Sequence, residues 1–152
     1  MNQIKLKLII AVSIMMFISC SNSQVQTDKL HEQLVILDLQ AWINLMPGGP
    51  GSFHLTGEYE FHKTESSKLL LIGIEVYSAN QMIYKIKSSD FNNELQKDVN
   101  VKKQKYRFNI QPGLKLNEKI RTAEMIDVKL IYNFDGISIE KTNTDIYITR
   151  AY

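Results

Sequence analysis

From residue 34 onward, apolar and polar side chains alternate with a period of two. In Leu34–Met46 the odd positions Val35, Leu37, Leu39, Ala41, Ile43 and Leu45 are all apolar, and Asp38, Gln40 and Asn44 share the other face with Trp42. Phe53–Lys63 sets Phe53, Leu55, Gly57, Tyr59 and Phe61 against His54, Thr56, Glu58, Glu60 and His62. Such alternation is what a strand with one face in the core and one in water requires. Leu69–Ser78 groups Leu70, Ile72, Ile74 and Val76 with a second apolar face, as in a central strand. Met82–Ser88 turns Met82, Tyr84 and Ile86 inward, and Lys105–Gln111 does the same with Tyr106, Phe108 and Ile110. Ile126–Asn133 (Val128, Leu130, Tyr132) and Asp145–Tyr152 (Ile146, Ile148) complete seven predicted strands, with a short extra one at Ile137–Lys141.

Turn residues separate these runs: Ser78–Gln81, Pro112-Gly113 and Asn133–Gly136, the last with an Asp-Gly pair suited to positive φ. No stretch has sustained helical periodicity, although Asp90–Val99 has room for one turn. Seven antiparallel strands in roughly 120 residues predict an all-β immunoglobulin-like sandwich over residues 34–152, with an up-and-down barrel as the alternative. The antibody-type disulfide is excluded, because the chain has one cysteine. The architecture resembles that of many bacterial envelope lipoproteins, and it transfers no active site.

The N-terminus changes the picture. Lys5 and Lys7 precede eleven residues, Leu8 to Ile18, that are apolar except for Ser13. A bilayer-spanning helix needs about 20 such residues, so this segment fits the core of a secretory signal instead. It ends Phe17-Ile18-Ser19-Cys20. A large apolar residue, a small residue at −1 and then the cysteine resemble the lipobox of bacterial lipoproteins. The resemblance implies a signal peptide over 1–19, removed before Cys20, and acylation of Cys20, whose lipid chains are the membrane partner. Several acyl chains suffice for stable anchoring. Ser21 stands where an aspartate would favour inner-membrane retention in that family, which implies the outer membrane of a Gram-negative envelope. Residues 20–33 are polar, without sustained periodicity, and read as the lipidated cysteine and a flexible tether.

Charge narrows the partners. The chain has 18 Lys plus Arg and 16 Asp plus Glu, and loss of residues 1–19 removes two lysines and no acid. A neutral mature chain gives no electrostatic case for nucleic acid. The run Lys102–Arg107 reads as a solvated face, with Glu94 and Asp98 just upstream.

Candidate chemistry is sparse. Met46-Pro47-Gly48-Gly49-Pro50-Gly51-Ser52 lacks the spacing of a phosphate loop and reads as a shaped inter-strand connection. Together with outward-facing Trp42, residues Met46, Pro47, Gly48, Gly49 and Pro50 form the candidate binding surface for an envelope protein or small ligand. Glu60 and His62 lie about 7 Å apart on one strand face and offer two ligands of a metal site, whereas His54 and His62, about 26 Å apart, cannot share an ion. The layout is loosely similar to that of cupredoxin-like periplasmic copper chaperones, which implies a metal-handling accessory role as the alternative function. Their late His/Met ligand motif has no counterpart here. Asp90–Glu94 begins like a calcium loop but lacks its glycine and closing glutamate. No nucleophile elbow and no cofactor fingerprint occurs. The sequence therefore predicts a lipid-anchored envelope protein with a binding or structural role, not an enzyme, and without a cofactor.

Overall fold

The computed structural model describes residues 28–62, 69–96 and 103–152. The chain divides into two compact units at Glu32/Gln33, and all nine strands belong to the second. Residues 28–33, the end of the predicted tether, are helical. Cys20 and the signal segment lie outside the described residues, as do Lys63, Asp98 and Val99. No described helix is long and apolar enough to cross a membrane.

The strands are β1 (Leu34–Asn44), β2 (Ser52–His62), β3 (Leu69–Ser78), β4 (Gln81–Lys87), β5 (Asn92–Gln96), β6 (Lys103–Asn109), β7 (Leu114–Lys115), β8 (Met125–Phe134) and β9 (Ile137–Ala151). They form one curled, mixed sheet in the order β4-β3-β8-β9-β1-β2-β6-β5, with β7 paired to β2. The all-β expectation holds. The wholly antiparallel one does not, because the end of β9 runs parallel to β1, from Ala41↔Ile148 to Asn44↔Ala151. A first and a last strand that enter the sheet in the same direction have no hairpin to make them antiparallel.

Aromatic side chains tie the two halves of the curl together. Phe53 stacks on Tyr84 with ring centroids 5.1 Å apart. Tyr59 meets Tyr132 edge-on at 5.0 Å, and Phe61 meets Phe134 at 5.2 Å. Every odd residue of β2 from Phe53 to Phe61 except Gly57 is a buried large side chain, so β2 supplies the centre of the core.

Bulges correct three of the predicted faces. β1 pairs with β2 as Ile36↔Tyr59 and then Asp38↔Glu58, which leaves Leu37 as an extra residue. Leu34 is therefore buried before the bulge and Ala41 and Ile43 after it, while Val35 and Leu37 are exposed. In β3 the extra residue is Ile72, so Leu69 and Leu71 are buried and Leu70 and Ile72 are exposed. A register shift between β3 and β4 likewise puts Met82 outside. One inserted residue inverts the parity of all that follows.

The remaining differences are local. β5 lies within Asp90–Val99, where the sequence pattern has room for one helical turn, and Ile137–Lys141 and Asp145–Tyr152 fuse into β9. The fusion accommodates a bulge at Asp145, which adopts φ +58° while its backbone N–H donates to Asp127 Oδ1 at 3.1 Å. A short helix, Glu118–Thr122, starts at Asn117, whose side chain accepts from the Lys119 N–H at 2.9 Å, and buries Ile120.

Candidate functional site

The outer face of β1, β2 and β6 collects the polar parity of those strands. Register places Trp42 opposite His54 on β2 and opposite Thr149 on β9. The indole and imidazole stack almost parallel, with centroids 5.1 Å apart and planes 4° apart. His54 thus covers one face of the Trp42 ring, which leaves the tryptophan half-buried with its other face toward β9.

His54 is itself fixed from two more directions. Its Nε2 hydrogen-bonds Ser52 Oγ at 2.8 Å. Gly113, at φ +104°, passes so close behind the ring that a Cβ there would lie 2.5 Å from His54 Cε1. Only glycine fits both the dihedral and the gap. Desolvation in this sandwich lowers the imidazole pKa below its ordinary 6.5, which favours the neutral ring.

Three recesses meet at Trp42. One, of about 620 Å³, lies between β1 and β9 where the two strands separate, with Asp38, Gln40, Asn143, Thr144, Tyr147 and Thr149 among its walls. A second, of about 670 Å³, adds His54, Asn92, Asn109, Gln111 and Pro112. The third, of about 320 Å³, runs along Gln40, Thr56, Glu58 and Arg107. Sequence reading singled out Trp42 but missed this amide- and hydroxyl-rich surround, whose residues come from strands a hundred positions apart. Their outward parity was the available signal.

The Pro/Gly loop forms a separate place. Met46, Pro47, Gly49 and Pro50 enclose their own hollow of about 280 Å³ with Asn44, Gly51 and Ser52, and none of them lines the three recesses at Trp42. Gly48 takes φ +96° at the loop's turn, and Met46 is exposed. Asn44 Oδ1 accepts from the Met46 N–H at 2.9 Å and so fixes the loop's start. The predicted single surface is thus two neighbouring ones on the outward side of β1.

Farther along the same face, charges pair across β2 and β6. Glu60 Oε1 lies 2.7 Å from Lys103 Nζ and 3.0 Å from His62 Nε2. Lys103 holds the Glu60 carboxyl below the usual carboxylate range, with His62 a smaller contributor. The two candidate metal ligands are adjacent, but an ammonium occupies the carboxylate they would share with an ion. Among the described residues, no group of three or more His, Cys, Asp or Glu side chains has metal-binding geometry. Glu58 in turn receives Lys105 at 2.6 Å and Arg107. Among the described residues of the basic run, Lys103, Lys105 and Arg107 therefore each pair with an acid of β2. Asp90 Oδ2 accepts from the Lys87 N–H at 3.2 Å, and the chain after it continues into β5 instead of a cation loop.

Compared with known proteins, the chain matches no family model, no curated sequence and no solved structure.

Proposed function

We propose that this chain is a lipid-anchored envelope protein, held at the membrane through Cys20, that recognises a partner or ligand at Trp42 without catalysing a reaction. One observation carries the reading: the single tryptophan of the chain is stacked and fixed by His54 where three recesses converge. A rigid aromatic anchor amid polar side chains is the common composition of recognition sites. Anchoring rests on the resemblance of the first twenty residues to a lipoprotein signal. The finer fold reading is an immunoglobulin-like sandwich. Its support is the aromatic pairing of β2 with β4 and β8 across the curl.

The test compares wild type with Trp42→Ala, both expressed with the native N-terminus and extracted from membranes in mild detergent. Trp42→Ala is expected to melt within a few degrees of wild type and to lose a co-purifying component. A drop of many degrees would assign Trp42 to the core, and an unchanged set of co-purifying components would remove recognition from this face.

A further inference from the structure

The recess between β1 and β9 is built differently from the other two. The strands pair in parallel only from Ala41↔Ile148 onward. Before that point Ile36–Gln40 and Asn143–Tyr147 diverge, and the recess of about 620 Å³ opens between them, within the range of small-molecule sites. Trp42 stands at its closed end, beside Thr149. Tyr147 lies on the β9 wall, about 7 Å from Thr149 along the strand, and is 74% exposed.

The polar lining selects the ligand class. Gln40, Asn143, Thr144 and Thr149 are uncharged groups that accept, and through amide N–H or hydroxyl also donate. Asp38 is the only charged residue among the described lining residues, and its Oδ2 accepts from Gln40 Nε2 at 2.8 Å, so the amide is oriented before any ligand arrives. Among the described residues no cation lines the recess, which disfavours phosphate or carboxylate ligands. Mixed donors and acceptors beside two aromatic rings match a molecule with many hydroxyls on its edges and C–H groups on its faces. Because this wall of β1 carries the Leu37 bulge, it is also a poor template for an added peptide strand.

We propose that the cleft between β1 and β9 binds a neutral or N-acetylated oligosaccharide, one sugar packing on the part of the Trp42 ring that His54 leaves uncovered and the next toward Tyr147. This deepens the recognition reading above and rests on it. The two separate experimentally, because Trp42 is the only tryptophan and reports on its own surroundings.

The test titrates the purified chain with triacetylchitotriose, cellotriose, maltotriose and, as a rival, an extended uncharged heptapeptide. The readouts are Trp42 emission and its quenching by acrylamide. At least one trisaccharide should shift the emission saturably and shield the ring. Tyr147→Ala should weaken that binding roughly three- to tenfold, the worth of one aromatic contact. Tyr152→Ala, exposed and outside the lining, should leave it unchanged. A response to the peptide alone would overturn the sugar assignment. So would silence to every probe, and if Trp42-dependent co-purification persisted in that case, the recognition surface would stand with a different ligand. Equal effects of Tyr147→Ala and Tyr152→Ala would move the site out of this cleft.

Discussion

Phe108 offers the sharpest test of the sheet register. Its side chain is fully buried, it faces Gly57 across β2 and β6, and Phe91 meets its ring edge-on at 6.4 Å. Burying roughly 150–200 Å² of aromatic surface at about 25 cal/mol per Å² contributes about 4–5 kcal/mol. Measured Phe→Ala costs in cores, about 3–5 kcal/mol, agree. The ring occupies the space a side chain at 57 would take: a Cβ there would lie 2.6 Å from Phe108 Cε1 and 2.6 Å from Leu39 Cδ2. Gly57→Ala alone should therefore cost about 1–3 kcal/mol by overpacking. With Phe108→Ala also present, the new methyl enters the vacated space. The double variant should then cost less than the two singles together, by about 1–2 kcal/mol. Urea unfolding followed by Trp42 emission gives all four stabilities, provided the slope with denaturant stays constant. Arg107→Ala, one residue away on the solvent side, should cost less than about 0.5 kcal/mol, since exposed ion pairs stabilise little. Additive costs at 57 and 108 would refute the close approach of ring and glycine. A large cost at Arg107 with a small one at Phe108 would mean that β6 is shifted by one residue.

Three further outcomes follow from named groups. Cys20→Ser should remove the acyl mass and release the protein from the membrane fraction, and retention after a carbonate wash would contradict the anchor. Burial holds the His54 pKa below 6.5, so the neutral ring's contribution is present above that value and is lost as pH falls through the lowered one. Trp42 emission should then titrate with a midpoint below 6.5, a transition His54→Gln should abolish. Glu75 accepts from the Tyr77 hydroxyl at 2.6 Å, which with Lys85 and Lys129 holds its pKa below the ordinary carboxylate value of 4.5. The stability this adds is present above pH 4.5 and declines below it, and Glu75→Gln should flatten that decline in acid unfolding curves.

The sequence revealed elements better than faces. β2 was fully legible, because strict alternation from Phe53 to Phe61 meets no bulge. β1 and β3 were found as strands, but each is apolar on both parities near its start, so the pattern could not show where Leu37 and Ile72 are inserted. β5, with the sequence NNELQ, has too little hydrophobicity to be recognised: it is an edge strand whose inward Asn93 donates to the Tyr59 hydroxyl at 2.9 Å. At the site, residue type alone pointed to Trp42. The partners Asn143, Thr144 and Tyr147 reach it only through the parallel pairing of the first and last strands, a non-local contact that no local pattern encodes.

A contact surface at Trp42 differs from a packing element in that envelope components change the surroundings of its ring. Because the chain has one tryptophan, incorporation of 5-fluorotryptophan gives a single fluorine resonance that can be followed in an unfractionated envelope extract. This resonance should shift and broaden as extract is added to the purified protein, and return when excess unlabelled wild type competes. A resonance that stays in place at every extract concentration would contradict a contact surface at Trp42.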